Sequence, residues 1–305
     1  MADSINAVCV ESNCFAADLF NTPSPLHDYT FSNKSLAALA SKGTKQNLNF
    51  KEFLAACKRE SIHPELRYSF KRLPKGLEHL FFLQAFDIFT GFLKALDVLK
   101  NNDITPARTV AAGYSHGGNM VHICNAMWPG FFSVVVDDSS LIDWNFIKIP
   151  RKSSVKMDGV ATTFIHEFSK WANVLEPDLY YPEKLYSETH GGLPPSPIFF
   201  FATEEDVIAG AKEKENIWAN RKGCHVFVAN RKNLYLDGLY NSGGHADSDR
   251  AALIQKALEL TPSPNGAAKA KVPDGIQFKT QNYIYTVDHP FTGEEAVSIK
   301  PLKGE

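Results

Sequence analysis

The chain has 305 residues, 44% of them hydrophobic and 22% charged, with a formal net charge of −2. A globular chain of this size can bury a full core, so no metal or disulfide framework is needed to hold it together. The near-neutral balance excludes the basic footprint of a nucleic-acid or anionic-membrane binder, and five scattered cysteines without a CxxC pair exclude a disulfide scaffold and a structural zinc site.

The opening MADSINAVCVESN has neither the basic stretch nor the apolar run of a secretory leader. No stretch reaches the roughly 18 apolar residues of a membrane span, so a cytoplasmic location is expected. Residues 5–10 (INAVCV) read as a short buried strand. A polar region follows to about Lys75, with short helices around 35–40 and 50–57; its basic residues between Lys58 and Lys75 are interrupted by Glu60 and Glu65 and read as a solvated face. The clearest helix runs from about 77 to 100, where Phe82, Phe86, Phe89, Leu93 and Leu96 recur at helical spacing before Asn101-Asn102-Asp103.

Thr109-Val110-Ala111-Ala112 is the next strand, and 119–128 a helix stopped by Pro129-Gly130. Cys124 falls in the apolar pattern of this helix and is expected to be a small buried hydrophobe. Ser133-Val134-Val135-Val136 is a third strand, closed by Asp137-Asp138-Ser139-Ser140. Residues 141–197 have no clean period and read as a lid-like insertion, whose Trp144, Phe146, Phe164, Phe168, Trp171, Tyr180 and Tyr181 could wall a pocket or simply form core. Ile198-Phe199-Phe200-Phe201 and His225-Val226-Phe227-Val228 are further strands, with helices at 213–220 and 248–260. Continuous apolar strands alternating with amphipathic helices predict an α/β domain over 1–262, its mostly parallel sheet covered on both faces. After a Pro- and Gly-containing linker, alternating residues at 276–279, 283–287 and 296–299 predict a small β appendage within 263–305.

Gly113-Tyr114-Ser115-His116-Gly117-Gly118 carries the chemistry. It matches G-x-S-x-G between a predicted strand and a predicted helix, the context of a nucleophile elbow. A serine at such a tight turn projects Oγ above the sheet and requires small neighbours two residues either side. The backbone N–H of His116 can then face a developing oxyanion, aided by the helix N-terminus. A serine hydroxyl is inert without a base. Of ten histidines, His245 fits best, on the glycine-rich Asn241-Ser242-Gly243-Gly244 loop after the last strand; His225 lies within a strand and His289 in the appendage. The acid belongs on the loop after 198–201, where Asp206 is the commoner residue type and Glu205 fits the strand-end register better; Asp137 and Asp138 are the alternative source. His116 and His122 do not share a helix face, so no metal is expected, and no motif points to a cofactor.

These residues resemble a known group. The elbow hexapeptide, the helix ending Trp128-Pro129 and Val136-Asp137-Asp138-Ser139-Ser140 are similar to the bacterial domain-of-unknown-function 2920 family of the α/β-hydrolase superfamily. The likeness extends through Leu83-Gln84-Ala85-Phe86-Asp87 and covers roughly residues 3–260. In that superfamily the elbow strand is normally fifth, so the resemblance implies that 5–10 is the fourth strand and that the first three have no counterpart. The loop they normally carry supplies a second oxyanion donor.

Two functions of different class follow. The first is a serine hydrolase, an esterase acting on a small-molecule or glycan ester through Ser115, His245 and Asp206 or Glu205; a peptidase with the same residues is a weaker variant. The second is a hydrolase-like binding or scaffold protein. If the strand at 5–10 is an open edge, self-association is expected.

Overall fold

Short runs of aromatic and β-branched residues, too apolar for a strand with one wet face, form the centre of the structure. It is a computed structural model that describes residues 27–44, 48–70, 79–141, 150–167, 174–179, 182–190, 194–261, 275–288 and 297–302. In chain order the elements are β1 (His27–Phe31), α1 (Asn33–Ala40), α2 (Phe50–Arg59), β2 (Glu65–Phe70), α3 (Leu80–Asn101) and β3 (Val110–Tyr114). The chain continues through α4 (His116–Met127), β4 (Val134–Asp138), β5 (Arg151–Met157), β6 (Val160–His166), α5 (Pro182–His190) and β7 (Ile198–Thr203). It ends with α6 (Ala211–Trp218), β8 (Cys224–Ala229), α7 (Arg250–Leu260), β9 (Gly275–Lys279), β10 (Tyr283–Asp288) and β11 (Val297–Pro301).

The described residues fall into two compact units, one within His79–Asp143 and Glu176–Glu305, the other within Ala16–Glu78 and Trp144–Leu175. The larger unit is built on a four-stranded parallel sheet in the order β3-β4-β7-β8. Every residue of β4 and β7 is buried, as strands covered on both faces must be. On one face Val134, Val136, Phe199 and Phe201 pack with Ala229, Tyr240 and, from α7, Leu253 and Ala257. Burying a phenylalanine in this way contributes about 1.5–3 kcal/mol. On the other face Phe200 stacks against Trp218 of α6 and His122 of α4.

Helix α4 is buried from Gly118 to Met127, and its polar Asn119, His122 and Asn125 are hydrogen-bonded inside the core. Cys124 lies buried within it, its thiol donating to the Ala85 carbonyl of α3 at 3.3 Å. Strands β9 to β11 form an antiparallel sheet in the order β11-β10-β9. Its alternating Ile276, Phe278, Tyr285 and Val287 are buried, and Phe82 of α3 stacks on Tyr285 with centroids 4.1 Å apart. A parallel sheet covered by helices and a small C-terminal β sheet are as expected, the latter packed on α3 rather than set apart.

The smaller unit has a four-stranded mixed sheet in the order β1-β2-β6-β5. Helix α2, closed by an Asn49–Glu52 capping box, buries Phe53, Leu54, Ala56 and Cys57. The sequence reading has no strands here. Two signals were available: Leu66, Tyr68 and Phe70 alternate with polar residues, and Asp158-Gly159 joins β5 to β6. Both turn residues have positive φ, 48° and 82°, as a two-residue hairpin turn requires. The expected strand at 5–10 and the linker after Thr261 lie outside the described residues, as do Trp144, Phe146, Phe168, Trp171, Tyr180 and Tyr181. Phe164 is a fully buried residue of β6.

Candidate active site

Ser115 stands between β3 and α4 with φ 51° and ψ −123°, a backbone conformation that L-residues rarely hold and that costs about 1–3 kcal/mol. Two hydrogen bonds keep the turn closed: the Ser115 N–H donates to the Asp138 carbonyl at 2.8 Å, and the Gly118 N–H donates to the Ser115 carbonyl at 3.0 Å. The glycines follow from close approach, though not as the motif suggested. A Cβ at Gly113 would lie 2.2 Å from the Gly117 carbonyl oxygen, and one at Gly118 would lie 2.6 Å from Ser140 Cβ. A Cβ at Gly117 would meet no atom within 4 Å, so crowding constrains the second position before Ser115 and the third after it, not the second after it.

The Ser115 hydroxyl is 2.8 Å from His245 Nε2, and His245 Nδ1 is 2.8 Å from Asp206 Oδ2. The structure thus joins three of the predicted residues, spread over 130 positions of sequence, into one hydrogen-bonded chain. Asp206 follows β7 on a turn closed by its own N–H on the Thr203 carbonyl. Its other oxygen, Oδ1, accepts the N–H groups of Ile208 at 2.8 Å and Ala209 at 3.0 Å. Burial would raise this carboxyl, but the His245 hydrogen bond and the two backbone donors outweigh it and hold Asp206 below the ordinary range. It is therefore a carboxylate around neutral pH.

Glu205 is the correction. Its carboxylate pairs with Arg231 Nε at 3.0 Å and accepts from the Tyr235 hydroxyl at 3.2 Å, so the turn after β7 aims Asp206, not Glu205, at the imidazole. His116 opens α4, so its backbone N–H belongs to the first helical turn. Its ring lies 2.8 Å from Gln84 Oε1, and burial pushes its pKa down to about 4, so the side chain adds no charge beside Ser115 at neutral pH. Tyr114, half exposed, carries the Arg250 guanidinium 3.5 Å from its ring centroid.

The loop carrying His245 has an unusual approach. After β8, Leu234, Tyr235, Leu236 and Asp237 all take left-handed φ between 48° and 57°, followed by Gly238 at 90°. Asn230 and Asn233 hold this turn: Asn230 Oδ1 accepts the N–H groups of Lys232 and Asn233, and Asn233 Oδ1 accepts those of Asn230 and Leu236. Beyond it, Thr203 Oγ1 donates to the Gly243 carbonyl at 2.7 Å, tying the histidine loop to the end of β7.

Asp137 and Asp138, the alternative acids, are both engaged elsewhere. Asp137 lies 2.7 Å from His122 Nε2 and 3.2 Å from Lys214 Nζ, all three fully buried or nearly so. His122 Nδ1 is in turn 2.9 Å from the Tyr186 hydroxyl. Burial alone would raise the Asp137 carboxyl; Lys214, His122 and Ser140 reverse this and hold it well below the ordinary range. Sequence reasoning missed Lys214, although it occupies the apolar stripe of α6 with Ala211 and Trp218. A charge at such a position signals a buried partner. Among the described residues no group of three or more His, Cys, Asp or Glu could hold a metal ion, and no helix is long and apolar enough to cross a membrane.

Residues 86–212 match the model of the prolyl oligopeptidase family, a span that contains Ser115 and Asp206 and stops short of His245. No curated protein matches the sequence. Solved structures with a resembling chain include the esterase domain of a Rhodothermus marinus protein, at 15% identity over 64% of this chain and 72% of that one, with a TM-score of 0.33. Acylaminoacyl peptidase of Pyrococcus horikoshii is 15% identical over 72% of this chain, with a TM-score of 0.40. The chain spans only 35% of that peptidase's length. Est1E from Butyrivibrio proteoclasticus, with ferulic acid bound, is 13% identical over 76% of this chain and 92% of that one, with a TM-score of 0.37.

Proposed function

We propose that this chain is a serine hydrolase of the α/β-hydrolase type that cleaves acyl esters, with Ser115 as nucleophile, His245 as general base and Asp206 as the acid that orients it. The observation that carries the reading is the chain of two 2.8 Å hydrogen bonds ending on a serine held at φ 51°. In this reading Ser115 Oγ attacks the acyl carbonyl while its proton passes to His245 Nε2. The Asp206 carboxylate keeps the other imidazole proton on Nδ1 and stabilises the imidazolium that forms. Negative charge developing on the carbonyl oxygen is met by the His116 backbone N–H at the positive end of α4. The tetrahedral intermediate collapses, the alkoxide leaves with the proton from Nε2, and water, activated by the same imidazole, releases the acyl group.

Small-molecule or glycan esters both suit this chemistry. The resemblance to the domain-of-unknown-function 2920 family rests on the elbow hexapeptide, the helix ending Trp128-Pro129, Val136-Asp137-Asp138-Ser139-Ser140 and Leu83-Gln84-Ala85-Phe86-Asp87. A fluorophosphonate probe tests the proposal directly, because only an activated serine is labelled. Wild type should label on Ser115 and hydrolyse p-nitrophenyl acetate; Ser115→Ala should lose labelling and roughly 10⁴-fold or more of the turnover, with an unchanged circular-dichroism spectrum. A wild type that does not label would leave the binding or scaffold reading in its place.

A peptidase is the second reading, supported by the match of residues 86–212 to the prolyl oligopeptidase family. Both use the same residues, so the substrate decides. Turnover of an acyl-peptidyl p-nitroanilide at a higher kcat/KM than a matched ester favours the peptidase.

A further inference from the structure

Asp138 ends β4 beside the elbow and is almost fully buried. Its carboxylate accepts three hydroxyls: Tyr240 Oη on Oδ1 at 2.6 Å, Ser248 Oγ on Oδ2 at 2.6 Å and Ser139 Oγ on Oδ1 at 3.1 Å. Its carbonyl oxygen accepts the Ser115 N–H at 2.8 Å. Tyr240 and Ser248 pair with each other as an isolated antiparallel bridge, which closes the neck of a loop carrying His245. Within that loop Asn241 N–H donates to the Asp247 carbonyl at 2.9 Å, and Ser242 Oγ donates to Asp247 Oδ2 at 2.5 Å. One residue therefore grips the nucleophile through its main chain and both sides of the base's loop through its side chain.

The chemistry of the grip is specific. Three hydroxyls converge on the two Asp138 carboxylate oxygens, and hydroxyl-to-carboxylate bonds of this kind are short and directional. The Tyr240 hydroxyl is pushed far above its ordinary range, first by burial and then by the Asp138 charge, so it stays a donor. Neither hydroxyl reaches the reacting atoms; they set where His245 stands.

We infer that Asp138 is a positioning residue that fixes the Ser115–His245 separation by bolting the neck of the histidine loop to the strand whose carbonyl holds the elbow. This rests on reading Ser115 and His245 as nucleophile and base. Displacing a base by about 1 Å costs on the order of 100-fold in rate, so a loop held at its neck is a sensitive place to intervene.

The test uses fluorophosphonate labelling and p-nitrophenyl acetate turnover, at a temperature well below the unfolding midpoint and normalised to folded protein. Asp138→Asn should slow labelling and lower kcat by roughly 10- to 100-fold with KM little changed. Tyr240→Phe and Ser248→Ala should each give smaller losses that are non-additive with Asp138→Asn. Ser248→Thr, which keeps the hydroxyl, should restore what Ser248→Ala loses, a rescue that a merely structural role would not produce. If Asp138→Asn does not fold, the Tyr240 and Ser248 variants carry the test. Wild-type labelling rates in the folded variants overturn this proposal alone, whereas no labelling in wild type overturns the hydrolase reading on which it rests.

Discussion

Asp137 and Asp138 follow one another along β4, and the pleat sends them to opposite faces of the same sheet. Asp137 faces α4 and α6, where His122, Lys214 and Ser140 close around it and no water reaches. Asp138 faces the other way, toward Tyr240, Ser248 and the loop that carries His245. Both are buried carboxylates at the end of the strand beside the elbow, and both appeared as candidate acids. The difference is what their partners are attached to. Asp137 binds buried side chains in the middle of α4 and α6; Asp138 binds the neck of a loop whose tip reaches Ser115. A strand-end carboxylate acquires its role from the segment it ties down, not from its distance along the chain to a motif.

The sharpest break between the two faces is expected at Asp206 itself. Asp206→Asn, which misdirects the imidazole proton, should lower kcat by roughly 10⁴-fold with the fold intact. Glu205→Gln, one residue away on the exposed side of the same turn, should cost less than about threefold, since Glu205 contacts Arg231 and Tyr235. Comparable losses in the two variants, read from p-nitrophenyl acetate turnover, would overturn the assignment of the acid.

Next in size, Asp137→Asn should unfold before it slows. Removing one member of a buried ion pair leaves Lys214 uncompensated and costs about 3–5 kcal/mol, read as a drop of the thermal midpoint by roughly 10 °C. Turnover per folded molecule should stay within a few-fold, the reverse of the pattern expected for Asp138→Asn. The pH dependence has a definite sign. Asp137 has its folded-state pKa depressed, so its stabilisation is full above the unfolded carboxylate value of about 3.9 and is lost as pH falls below it. The stability gap between wild type and Asp137→Asn should therefore be constant near neutrality and shrink on acidification. A gap that widens below pH 4 would mean that Asp137 is not the charged member of its cluster.

The smallest effect belongs to the left-handed turn ahead of the histidine loop. Leu234 is 71% exposed, so Leu234→Gly removes little packing while relieving a positive φ that Gly holds without strain. It should raise stability by up to about 1 kcal/mol, measurable as a shift in the denaturant midpoint; a loss of stability would show that the left-handed conformation is not what the segment pays for.

What the sequence made legible was local. Gly113 to Gly118 lies between an apolar strand and an apolar helix, and that juxtaposition carries both the fold and Ser115. His245 stood out because a glycine-rich loop follows the last strand, and the structure brings it within 2.8 Å of Ser115 Oγ. The choice between Asp206 and Glu205 was not readable, since neighbouring residues on a turn differ only in where the turn aims them. Nor was the role of Asp138, whose partners lie 102 and 110 positions away with no pattern linking them. The smaller unit's sheet was readable in part: the Asp158-Gly159 pair and the alternation at Leu66, Tyr68 and Phe70 were there, in segments whose overall polarity concealed them.

The turn from Leu234 to Gly238 winds against the natural hand of the chain, at roughly 1–2 kcal/mol for each L-residue so held. Asn230 and Asn233 keep it closed with bonds to its near end, while its far end runs straight into Tyr240 and the base's loop. Such a segment is the cheapest part of its neighbourhood to open. The consequence is an order of failure on heating: the left-handed turn opens before β8 or the parallel sheet lets go and loosens the approach to the His245 loop, so the Ser115–His245 hydrogen bond weakens while the secondary structure still stands. Fluorophosphonate labelling should fade several degrees below the far-ultraviolet melting transition, and the amides of residues 234–239 should exchange with solvent ahead of those of β8. Coincident loss of labelling and ellipticity would instead make the turn as durable as the sheet it leaves.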